Sequence, residues 1–87
     1  MPSWKDLSRF LAHDSWEYMK KNSGTDRAYT KTLSNGDILF TRVSKSSKEI
    51  GPGLFAEILK QLACSKEYFS HVLSSKRYSS DDPAERK

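Results

Sequence analysis

The stretch Lys48–Phe69, KEIGPGLFAEILKQLACSKEYF, decides how this chain is read. Gly51 suits the position before a helix, and Pro52 sits at the first helical position, where its fixed φ and missing N–H do no harm. Leu54, Phe55, Ile58, Leu59 and Leu62 then share one helical face. Cys64-Ser65 ends the helix, and Ser65 caps a short final helix carrying Phe69, Val72 and Leu73. An amphipathic helix of this kind needs an apolar surface to cover, and the segment upstream supplies one.

That upstream segment reads as three strands. Trp16 to Lys20 is rich in aromatics, and Ala28 to Leu33 places Tyr29, Lys31 and Leu33 on one side. Ile38 to Val43 follows the turn Ser34-Asn35-Gly36-Asp37, whose Asn-Gly pair is a strong hairpin signal. The polar run from Lys21 to Asp26 is the other turn. Ahead of the strands, Ser3 and Asp6 form a capping-box pattern, and Trp4, Leu7, Phe10 and Leu11 make a helical stripe that ends at His13-Asp14-Ser15. The expected architecture is α+β, in the order α-β-β-β-α plus a short extra C-terminal helix. A three-stranded antiparallel sheet would carry the helices on one face and leave the other open. Residues 1–75 are expected to form a single domain. From Ser74 onward the apolar content is too low to offset ordering, so 76–87 is expected to be a flexible tail.

Composition bounds the function. Eighty-seven residues make a small core that buries only about 60–65% of the unfolded surface. The lone Cys64 cannot form an internal bridge and fits a small core position in a reducing, cytoplasmic setting. No apolar run approaches the roughly 18 residues of a membrane span, and no signal-peptide pattern opens the chain. No Cys/His pair has ligand spacing, so neither a metal nor a cofactor is expected. The net charge of +4 is concentrated: residues 20–48 hold seven bases and two acids, a local +5. A field of that sign points to a polyanion such as nucleic acid, or to a solvated lysine surface.

The α-β-β-β-α order is that of the double-stranded-RNA-binding fold. Within it, the words WKDLSRFL, Lys20-Lys21, Ser23-Gly24-Thr25, LSNGDIL, KEIGPGL leading into ILKQL, and SKEYF resemble, in that order, the HicA family of toxins from toxin–antitoxin pairs. The match spans about residues 3–73. The resemblance implies a protein that binds messenger RNA, cleaves it as a metal-independent endoribonuclease, and is held inactive by a HicB-like antitoxin. It also implies a histidine in the turn entering the second strand, whereas this chain reads Gly24-Thr25-Asp26 there. Asp26 is therefore the candidate catalytic residue, as a weak base with a carboxylate pKa of about 3.9 against about 6.5 for histidine. The alternative is that Asp26 is an ordinary turn residue and the chain is an inactive RNA-binding or antitoxin-binding module of the same fold.

The candidate RNA-binding set is Lys20, Lys21, Thr25, Arg27, Tyr29, Lys31, Arg42 and Lys45. His13 is expected to complement the end of the first helix, and His71 to border core or solvent. Core packing is expected for Trp4, Phe10, Phe55 and Phe69, and is favoured over base stacking for Trp16, Tyr18, Tyr29 and Phe40. Among these, Tyr29 is the best candidate for an exposed ring because it follows the turn directly.

Overall fold

Ser3 opens α1 (Trp4–His13) with a complete capping box: its hydroxyl accepts from the Asp6 N–H at 3.2 Å, and the Asp6 carboxylate accepts from the Ser3 N–H at 3.0 Å. The computed structural model describes residues 2–19, 27–44, 48–75 and 79–87. After α1 come β1 (Glu17–Met19), β2 (Arg27–Thr32), β3 (Ile38–Val43), α2 (Pro52–Leu62) and α3 (Lys66–Ser74). The strands form one antiparallel sheet in the order β1-β2-β3. Among the described residues the chain is thus α+β, with a three-stranded meander and three helices.

Local chemistry accounts for the turns and boundaries. Gly36 takes a φ of 93° in the β2–β3 turn, while Asn35 does not have positive φ. The Asn-Gly pair therefore does not make the mirror-image two-residue turn its spacing suggests. The Asn35 side chain instead accepts from the Asp37 N–H at 3.0 Å, and Leu33 N–H donates to the Asp37 carbonyl at 2.8 Å. α2 starts at Gly51-Pro52 as its sequence predicts. It ends with Ala63 in the left-handed region at φ 52°, where the N–H groups of Ala63 and Cys64 satisfy the Lys60 and Leu59 carbonyls. Ser65 caps α3 by accepting from the Tyr68 N–H at 3.0 Å.

The helices cover one face of the sheet. The core joins Leu7, Phe10 and Leu11 of α1, Val43 of β3, Phe55, Ile58 and Leu62 of α2, and Phe69 and Val72 of α3. Phe10 stacks on Phe69 at 4.7 Å between ring centroids, and Phe55 meets Phe69 edge-on at 5.1 Å. Burial of each such side chain contributes about 1.5–3 kcal/mol. One expectation for α2 is corrected: Leu54 is half exposed, because the core-facing stripe runs through Phe55, Ile58 and Leu62 and leaves Leu54 a helical step behind it.

Residues 79–87, read from the sequence as part of a flexible tail, pack back against the domain. Ser34 N–H donates to the Asp81 carbonyl and Ser65 N–H to the Arg86 carbonyl, each at 2.8 Å. Polar contacts anchor this segment, so its low apolar content gave no sign of the docking.

Candidate functional site

Two places concentrate charged and aromatic groups. One is buried. Asp14, at the end of α1, is fully enclosed, and its carboxylate accepts from Trp16 Nε1 at 2.9 Å and from the Tyr68 hydroxyl at 2.6 Å. Arg86 is also fully enclosed and closes on the same carboxylate with both terminal nitrogens, at 2.8 and 3.2 Å. The guanidinium further donates to the Leu62 carbonyl at 2.8 Å and the Ser80 carbonyl at 2.9 Å, and lies 4.8 Å from the Tyr68 ring centroid. Its Nε–H meets no acceptor among the described residues. Burial, together with the bond to Asp14, pushes the Tyr68 phenol above its ordinary pKa. A cluster closed to solvent on this scale holds elements together: it ties the ends of α1 and α2 to α3 and to the final residues.

Lys31 belongs to this buried region, which corrects its place in the candidate RNA-binding set. Its side chain is almost fully covered, and its ammonium donates to the Asp14 carbonyl at 2.6 Å and pairs with Asp81 at 2.9 Å. The physical reason is strand parity. Lys31 lies on the same side of β2 as Tyr29 and beside buried Leu33, so it faces the helices. The hydrogen bond and charge of Lys31 in turn hold the exposed Asp81 carboxyl below its ordinary value.

The second place is the open face of the sheet. Leu39, Thr41 and Val43 point to the helices, so Ile38, Phe40 and Arg42 point away. The register sets Phe40 beside Thr30 and Glu17, Arg42 beside Ala28 and Met19, and Ile38 beside Thr32. Ile38 is 72% exposed, Met19 45% and Phe40 44%, and the Arg42 guanidinium carbon lies 5.9 Å from the Phe40 ring centroid. The favoured core placement of Phe40 and Tyr18 is therefore corrected: Phe40 is on the open face, and Tyr18 is 55% exposed on the short edge strand β1. Tyr29 is partly covered, packs against the core and contacts Tyr18 at 5.4 Å, so it is not the exposed ring the sequence singled out. Trp16 is buried, as favoured.

At one end of this sheet β1 finishes at Met19, β2 begins at Arg27 and β3 finishes at Val43. Arg27 and Arg42 are exposed there. Lys20 and Lys21 directly follow Met19 in the chain, and Lys45 comes two residues after Val43. Lys20, Lys21, Thr25, Asp26 and Lys45 lie outside the described residues. His13 is at the other end, where α1 leads into β1; its Nδ1–H donates to the Val72 carbonyl at 3.0 Å and links α1 to α3. His71 is exposed on α3. Burial pushes the Cys64 thiol up to about 12, which leaves little thiolate at neutral pH. Among the described residues no three His, Cys, Asp or Glu side chains gather as metal ligands, and no helix is long and apolar enough to cross a membrane.

Comparison of the chain with protein-family models, curated proteins and solved structures gives no match. The resemblance to HicA toxins rests on the quoted residues.

Proposed function

We propose that this chain is a HicA-like RNA-binding domain of the double-stranded-RNA-binding type, working beside a HicB-like antitoxin as the resemblance implies. One observation carries the reading. Three strand ends meet at one end of the sheet, where Arg27 and Arg42 are exposed; in the sequence, Lys20, Lys21 and Lys45 come within two residues of those ends. Phosphate attracts such a group of cations without any need for base-specific contacts.

Binding has more support than cleavage. Asp26 is the catalytic candidate that the resemblance leaves, and an aspartate, with a reference pKa of about 3.9, is a poorer base than histidine and a poor acid near neutral pH. His13 is occupied by the Val72 carbonyl at the far end of the sheet. Incubating the protein with a messenger-RNA fragment in EDTA, followed by native and denaturing electrophoresis, tests the reading. Retarded but intact RNA is the expected result. Shortened RNA that an Asp26→Ala variant no longer produces would establish the nuclease instead, and RNA that is neither retarded nor cut would remove the RNA-binding reading.

A further inference from the structure

We propose that the open sheet face binds single-stranded RNA, with an unpaired base stacked on Phe40 and Arg42 and the sugar-phosphate chain running past Arg42 toward that end of the sheet. The inference rests on the RNA-binding reading and names the form of RNA and the surface that takes it.

The face has the features that base stacking needs. Phe40 is a half-exposed ring in the middle of a strand, and its direct neighbour across the sheet, Thr30, is small, whereas Ala28, one pair along, is covered. A flat ligand can therefore lie against the ring without meeting a bulky side chain on β2. Arg42, on the same face, lies over that ring with its guanidinium carbon 5.9 Å from the centroid, and offers a second flat, cationic group on which a base can stack. Ile38, two residues along β3, adds exposed apolar surface on the same face, and Thr30 and Thr32 supply hydroxyls.

Charge orients the strand. Glu17 is the only carboxylate on this face among the described residues, and it lies across Thr30 from Phe40, on β1. Phosphates are repelled from that side and drawn to the Arg27–Arg42 end. An A-form duplex keeps its bases paired and stacked inside and presents phosphates and 2′-hydroxyls, so it offers nothing to an exposed ring. A second copy of this chain is the less suitable occupant, because each copy carries a net +4 and would bring Arg42 toward an equally cationic face.

The test measures affinity for a fluorescent eight-nucleotide single strand and for a duplex RNA of the same phosphate count, with sedimentation of the protein alone. Wild type, Phe40→Ala, Phe40→Tyr and Leu54→Ala are compared; Leu54 is a half-exposed apolar residue on α2, away from the face. Circular dichroism checks that each variant is folded. Phe40→Ala is expected to weaken single-strand binding about 5- to 150-fold, the range for loss of one stacked base. Duplex binding should be unchanged, Phe40→Tyr should retain single-strand affinity, and Leu54→Ala should match wild type. Single-strand binding by wild type that Phe40→Ala leaves intact overturns this inference while the RNA-binding reading stands. Absence of binding to either RNA by wild type removes both. A dimer of wild type that Phe40→Ala dissociates shows instead that the face joins two copies, and likewise overturns the inference.

Discussion

Arg86 Nη2 lies 2.8 Å from Asp14 Oδ2, and neither side chain reaches solvent. The pair joins the end of the chain to the end of the first helix across 72 residues. Desolvating two charges is costly, and here the cost is offset by a two-pronged contact and by hydrogen bonds from Trp16 and Tyr68. Removing one partner leaves the other charge buried. Arg86→Met is therefore expected to cost about 3–5 kcal/mol, measured by urea unfolding followed through Trp16 fluorescence. Adding Asp14→Asn should recover part of that loss, because it removes the stranded charge. A double variant no more stable than Arg86→Met would show that the guanidinium acts by packing rather than by charge.

Acid should loosen the outer part of the same attachment. Lys31 lowers the Asp81 pKa in the folded protein, so this pair contributes stability above the unfolded carboxylate value of about 3.9 and loses it as pH falls through the lower folded value. The stability difference between wild type and Asp81→Asn should be constant from pH 7 to 5 and shrink below about pH 4. A difference that grows on acidification would contradict the Lys31–Asp81 pairing.

Cys64 should report on the folded state. With its thiol pushed up to about 12, labelling by a disulfide reagent at pH 8 should be on the order of a hundredfold or more slower than in urea. The Cys64 groove, of about 460 Å³, is bordered by Pro83 and Lys87 of the final segment. Arg86→Met should therefore speed labelling, even under conditions where the helices remain folded.

Two substitutions in α2 separate core from surface. Leu62→Ala should cost about 2–5 kcal/mol because Leu62 is fully enclosed, whereas Leu54→Ala should stay within about 0.5 kcal/mol. At the end of the same helix, Ala63→Gly should raise the melting temperature. Ala63 holds a left-handed φ of 52°, a conformation costing an L residue about 1–2 kcal/mol that glycine adopts freely.

Much of this fold could be read from neighbouring residues alone. The capping box at Ser3, the start of α2 at Gly51-Pro52 and the span of β3 from Ile38 to Val43 all depend on signals a few residues apart. Lys31 was legible too: its parity with Leu33 places it on the core side, and only the habit of treating lysine as a surface residue hides this. Phe40 was not, because alternation shows that two faces exist without showing which one the helices cover. Arg86 was hidden by distance in sequence. A local sign did exist in Asp82-Pro83-Ala84-Glu85, which has the form of a helix start, and the Asp82 carboxylate accepts from the Ala84 N–H at 3.0 Å.

On the proposed reading, the cationic end of the sheet holds RNA by its phosphates. It is tested most directly by the affinity of wild type and of Arg27→Glu/Arg42→Glu for a single-stranded RNA, measured by fluorescence anisotropy between about 50 and 200 mM salt. Wild-type affinity should fall steeply with salt. The double variant should bind more weakly, with a logarithmic slope shallower by about 1.4, as expected for two lost phosphate contacts on a single strand. Affinity that is independent of salt and unchanged by reversing both arginines would contradict RNA binding at this end of the sheet.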